Sequence, residues 1–171
     1  EFIVGKPGPD YMSTYIRPVS GDKVYLVPAY LRTTVDRGPE TWRNRTILEL
    51  EQAKIASYTT RTARETVTLE KGKDGEWSIT APSQEKARPD LVGMVLRSLA
   101  ALRSYGFADS TVTGTSSGLD ADTTAVVVRM DDGTSYTIHV GATTPASQSY
   151  TRKDGDGVIY LVPRGRWNTI F

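Results

Sequence analysis

Apolar positions change their period several times along the chain, and each change marks an element. KIASYTTR and ETVTLEK alternate, placing Val67 and Leu69 on one face and Thr66 and Thr68 on the other, which predicts two strands. GKDGEWSIT follows, with an Asp74-Gly75 turn leading into a third strand through Trp77 and Ile79. The period then lengthens. In ARPDLVGMVLRSLAALRSYG, Val92, Val95, Leu96, Leu99 and Leu102 recur at helical spacing, while Pro89 and Asp90 suit a first turn and Gly106 an end. One main amphipathic helix is predicted over about 89–105, its stripe packed on a sheet. Beyond a polar loop over 106–122, TAVVVRM, SYTIHVG, QSYTRK and VIYLVP predict four antiparallel strands. Asp132-Gly133 joins the first two and DGDG at Asp154–Gly157 the last two. Short helices are predicted near 29–36, ending at Gly38, and near 39–46, opened by Pro39, and RGRWNTIF begins a closing helix. Strands, one helix, then strands again imply an α+β fold with antiparallel sheets rather than alternating βαβ units.

One motif occurs twice. YLVP stands at Tyr25–Pro28 and again at Tyr160–Pro163, each time after a short Gly/Asp turn and downstream of a Val-Gly pair. Tyr15 and Tyr150, Arg17 and Arg152, Tyr25 and Tyr160, and Pro28 and Pro163 are each separated by 135 positions, whereas Gly5 and Gly141 are separated by 136. One residue is therefore gained in a loop between. The period is too long for a solenoid and points to tandem units cut out of phase. Residues 1–38 read as the closing hairpin and helix of a preceding unit, and residues 39–171 as one complete unit with the start of its closing helix. On this reading the first copy lacks its neighbouring strands. Its edge then invites strand pairing, including self-association through residues 1–28.

Composition narrows the class without naming a chemistry. The chain has 171 residues, 38% hydrophobic and 24% charged, with a net charge of +1 and no cysteine. The charge balance gives no field for nucleic acid, and the lack of cysteine excludes disulfides and thiol nucleophiles. The apolar run around Val158–Val162 is far too short to span a bilayer.

Candidate catalytic groups are isolated. His139 is the sole histidine and sits in a strand pattern without metal-ligating neighbours, so it reads as a surface or hydrogen-bonded strand residue. DGDG lacks the later glutamate of a calcium loop and reads as a hairpin turn. Asp120, Asp122, Asp131 and Asp132 suggest paired carboxylates, but Asp131 and Asp132 flank a turn glycine, where aspartate serves local hydrogen bonds. No G-x-S-x-G elbow or phosphate-loop spacing is present. Trp42 with Arg43 and Arg45 offers an anion or stacking site, against a plainer reading in which Trp42 anchors the segment to the core and the arginines pair with acids. No catalytic, cofactor or metal residue is expected.

The order WRNRTILEL, KIASYTTR, ETVTLEKGKDGEWSITAPSQEKARPDLVGMVLRSLAALRSYGF, GLDADTTAVVVRMDDGTSYTIHVG and YTRKDGDGVIYLV resembles the bacterial family known as domain of unknown function 4340. The resemblance covers about residues 40–163 as one unit and 1–35 as the tail of another. It implies an extracytoplasmic, non-enzymatic accessory or interaction domain, tethered by a membrane helix outside this segment. It further implies protein partners such as subunits of a gliding-motility-type ABC transporter, with no nucleic acid and no direct membrane insertion by these residues. The alternative is a small-molecule or glycan-binding domain using exposed aromatics. The candidate contact surface comprises Tyr11, Tyr15, Trp42, Arg43, Arg45, Tyr136, Tyr150 and Trp167.

Overall fold

The computed structural model of the chain describes residues 1–121 and 124–171. They form two compact units, Glu1–Asn44 and Arg45–Phe171. The α+β class read from the sequence is the class of the structure, with every strand pair antiparallel.

In the first unit, β1 (Phe2–Pro7), β2 (Thr14–Pro18) and β3 (Tyr25–Val27) form a sheet in that order. Two single helical turns follow, α1 (Arg32–Val35) and α2 (Pro39–Trp42), both shorter than the pattern suggests. The Leu31 N–H is taken by the Thr14 hydroxyl at 3.1 Å, and that hydroxyl donates to Ala29 C=O at 2.7 Å, so α1 starts only afterwards. Arg43 is already extended, which ends α2 at Trp42. Gly8, Ser13 and Thr14 are the buried residues of this unit; among the described residues none of its apolar side chains is buried.

The second unit holds β4 (Ile55–Arg61), β5 (Thr66–Lys71), β6 (Trp77–Ala81), β7 (Glu85–Lys86), β8 (Gly106–Phe107), β9 (Ala125–Met130), β10 (Ser135–Thr143), β11 (Gln148–Lys153) and β12 (Tyr160–Pro163). They form one sheet in the order β7-β6-β5-β4-β9-β10-β11-β12-β8. The helices are α3 (Pro89–Ala100), α4 (Gly114–Ser117) and α5 (Arg164–Ile170). Val92, Val95, Leu96 and Leu99 of α3 and Trp167 and Ile170 of α5 share one buried cluster with Ile55, Tyr58, Val126, Val128, Ile138, Tyr160 and Val162 of the sheet. The helical stripe read from the sequence is therefore the core face of α3.

That helix ends five residues before the predicted stop. From Leu102 the chain pairs with the segment before β4: Ile47 N–H and Leu48 N–H donate to Leu102 C=O at 2.9 and 3.0 Å, and Ser104 N–H donates to Arg45 C=O at 2.8 Å. Leu102 is fully buried, but from a position beyond the end of the helix. The same pairing keeps residues 43–46 from extending α2, with Thr46 bridged to Arg103. Gly106 opens β8 instead of capping a helix.

Inside the predicted loop sits α4, which carries a reciprocal capping box between Thr113 and Ser116 and ends at Gly118 in the left-handed region, φ 71°. It lies against β10 where Gly141 has no side chain; a Cβ there would run into the Ser117 carbonyl oxygen. Gly141→Ala is therefore expected to cost about 1–3 kcal/mol in a urea melt, as overpacking does. A change within about 0.3 kcal/mol would show that the α4 turn does not rest on β10.

Tyr58 of β4 is buried beside Trp77, ring centroids 5.8 Å apart. Burial pushes its phenol from an ordinary value near 10 up to about 12. The folded state therefore holds this proton more tightly than the unfolded state. The stability that Tyr58 contributes is intact below pH 10 and is lost as pH rises through about 12. Urea midpoints followed over this range should fall less steeply in Tyr58→Phe; equal slopes would contradict the assignment.

The two YLVP copies occupy one substructure built twice. β2 and β3 pair Thr14 with Val27, Tyr15 with Leu26 and Ile16 with Tyr25. β11 and β12 pair Ser149 with Val162, Tyr150 with Leu161 and Thr151 with Tyr160, the same register 135 positions on. β1 and β2 pair Phe2 with Pro18, Ile3 with Arg17, Val4 with Ile16 and, past an irregularity, Pro7 with Thr14. β10 and β11 pair Ile138 with Lys153, His139 with Arg152, Val140 with Thr151 and, past an irregularity at the same place, Thr143 with Ser149. Turn hydrogen bonds repeat as well. Gly8 N–H donates to Ser13 C=O, Tyr11 N–H to Gly8 C=O and Val19 N–H to Glu1 C=O; their counterparts are Thr144 to Gln148, Ser147 to Thr144 and Asp154 to Thr137. Tyr11 and Ser147 both stand in the left-handed region, φ 55° and 58°. The extra residue of the first copy falls between Tyr11 and Ser13.

Candidate functional site

The residues singled out in the sequence do not form one site. In the first unit Tyr11 is 79% exposed on its left-handed turn and Trp42 is 69% exposed, so Trp42 does not anchor its segment to a core. Arg43 pairs with Glu40 at 2.9 Å, as the plainer reading of this segment expects. Tyr15 is half-buried on β2. In the second unit Arg45 is half-buried, with its carbonyl in the pairing to Ser104. Tyr136 is half-buried against the core, and Tyr150 is half-buried on β11.

Trp167 is a correction. It is 3% exposed and belongs to the core, because α5 turns its apolar side toward the sheet while Arg164 and Arg166 stay outside. It takes no part in a contact surface.

The polar candidates are locally committed. His139 Nε2 of β10 and Asp154 Oδ1 of the turn after β11 lie 2.7 Å apart. DGDG is a turn: Gly155 has φ 82° and Asp156 N–H donates to Lys153 C=O at 3.1 Å. The Asp156 carboxylate accepts the Tyr160 hydroxyl at 3.0 Å. Asp132 accepts the Thr134 N–H at 2.8 Å, and the hydrogen bonds from Thr134 hold its carboxyl below the usual range. Asp131 donates its N–H to Lys54 C=O, and Asp120 accepts the Thr115 hydroxyl at 2.9 Å. Asp122 lies outside the described residues. Among the described residues no three acidic or histidine side chains are placed to hold a metal. Calcium or zinc is accordingly expected to leave the melting temperature unchanged. Stabilisation that disappears in the Asp154→Ala, Asp156→Ala double variant would overturn this.

A groove of about 320 Å³ opens between the start of β6 and the start of α3, lined by Trp77, Ala87, Pro89, Val92 and Leu96. Glu76 at its rim is paired to Lys86 at 2.8 Å. One aromatic and one neutralised carboxylate make a shape for an apolar group and not a set for acid–base work.

The larger feature is one that the sequence reading missed. Phe2, Val4, Ile16, Tyr25 and Val27 share a face of the β1-β2-β3 sheet by alternation and register. Phe2 is 61% and Tyr25 50% exposed, and the other three are only half-buried. Of their counterparts, Ile138, Thr151, Tyr160 and Val162 are buried, at 0, 0, 7 and 0%, while Val140, the counterpart of Val4, is half-buried against the core. Ile3, Met12, Val24, Leu26 and Tyr30 add further exposed apolar side chains to the first unit. The signal was present in the sequence: positions that align with core positions and stay apolar need cover of their own.

Compared with known proteins, the chain matches the family model described as Domain of unknown function (DUF4340) over residues 1–122. The matched span starts in the β1-β2-β3 sheet and ends before β9, a different frame from the 40–163 unit read in the sequence. No curated protein and no solved structure matches.

Proposed function

We propose that this chain, which belongs to the family described as Domain of unknown function (DUF4340), is a non-enzymatic protein-interaction module of the bacterial envelope. The observation that carries this reading is the concentration of exposed apolar side chains on a unit in which, among the described residues, no apolar side chain is buried. A patch of this kind is costly to leave in water and usually marks a surface that another polypeptide covers. The extracytoplasmic setting, the tether and an ABC-transporter partner are what the family resemblance implies. Tyr11 and Trp42, the two most exposed aromatics of the first unit, supply anchors of the kind that dominate interfaces.

Photo-crosslinking in living bacteria tests the reading. A benzophenone amino acid at position 11 or 42 should capture a membrane-transporter subunit, and one at the buried position 128 should not. Adducts absent at 11 and 42, or equal at all three positions, would contradict it. A second reading, a small-molecule or glycan site, draws on the groove floored by Trp77, whose volume falls in the range of ligand pockets. Quenching or enhancement of tryptophan fluorescence by a soluble saccharide, abolished in Trp77→Leu, would favour it.

A further inference from the structure

We propose that the open face and edge of the β1-β2-β3 sheet are the seat of the front part of another module of this family, the counterpart of residues 45–136. Its β9-like strand would add antiparallel to β1, and its α3-like helix would cover Phe2, Tyr25 and Val27. The second unit is the template. There the same three-stranded substructure is flanked by β9 on the β10 edge, and its face joins the cluster that contains the stripe of α3.

The edge is specified at the level of single hydrogen bonds. Val140 N–H donates to Thr124 C=O at 2.9 Å, on the side away from β11. Its counterpart is Val4, on a strand that lies at the edge of its sheet. His139 faces Ala125 and Ile138 faces Val126. Ile3 and Phe2 should therefore face the occupant's counterparts of Ala125 and Val126. Side-chain chemistry agrees: the occupied face bears Ile138, Val140, Tyr160 and Val162, and the open one bears Phe2, Val4, Tyr25 and Val27. A folded second copy of this chain does not fit, because its β9 is already paired on both edges, with β4 and β10.

The repeat supplies the experiment. Since Glu1 is the counterpart of Thr137, residues 45–136 can be fused directly ahead of Glu1 of the full chain without breaking the register. Amide hydrogen exchange at Phe2 and Val4 is the readout. In the chain alone these amides should exchange as open edge backbone. In the fusion they should slow by about 100-fold or more, towards the rates of Ile138 and Val140. Phe2→Ile in the fusion should keep the protection and Phe2→Asp should lose it. The native Arg45–Phe171 unit reports on folding within the same molecule. If that unit is protected while exchange at Phe2 and Val4 is unchanged by the fusion, the proposal is overturned. It is equally overturned if the unfused chain already protects them, as a monomer or through pairing of two copies. The inference rests on reading the first unit as an interaction surface, not on the compartment or the transporter. Missing crosslinks would leave the exchange result untouched, and unchanged exchange would leave the crosslinks standing.

Discussion

Trp167→Ala is expected to destabilise the Arg45–Phe171 unit by about 3–5 kcal/mol, the usual range for removing a buried tryptophan. The indole is 3% exposed, packs with Ile170 in the common cluster and has Phe171 beside it, ring centroids 6.1 Å apart. Its Nε1 has no hydrogen-bond partner among the described residues. Trp167→Phe should therefore keep most of the packing, lose no hydrogen bond and cost well under half as much. Urea denaturation followed by circular dichroism measures both. A Trp167→Ala variant within about 0.5 kcal/mol of the parent would return Trp167 to the surface and α5 to a peripheral role.

Leu99→Ala should cost about 2–5 kcal/mol, set by the lost transfer energy and by the cavity left behind. Leu99 is fully buried, and so are Ile55, Val126 and Val128 of the central strands in its cluster. Met94, on the outer side of the same helix, is 46% exposed. Met94→Ala is the matched control, with an expected change below about 0.5 kcal/mol. Equal losses at the two positions would mean that α3 faces the sheet with a different stripe.

The sequence disclosed elements whose signal is local. The stripe Val92, Val95, Leu96 and Leu99 fixes the core face of α3 without knowledge of any partner. Asp-Gly at 74–75 and 132–133 marks turns whose glycines do take positive φ, 84° and 86°. Boundaries set by distant pairing were not legible. Leu102 continues the helical spacing, yet its backbone is drawn into hydrogen bonds with residues 47 and 48, and nothing near Leu102 announces them. Trp167 lies among arginines and glycine, so its burial follows only from the way α5 docks. Trp42 differs in the opposite direction, a large aromatic that stays 69% exposed. The doubled YLVP identified a repeated hairpin. Its consequence for Phe2 and Tyr25 needed the register of β10, because only that aligns them with Ile138 and Tyr160. The family match, 1–122, starts within the β1-β2-β3 sheet.

The central claim is that residues 1–27 and 137–162 are one substructure in one register, covered in the second copy and open in the first. Cross-strand contacts in an isotope-labelled chain test it most directly by NMR. Tyr15 should face Leu26 and Tyr150 should face Leu161, with Ile3 opposite Arg17 and His139 opposite Arg152. The Val140 amide should be protected and the Val4 amide open. A slip of one residue in either hairpin turns every side chain to the other face. Such a slip, or helical contacts within residues 1–27, would contradict the account.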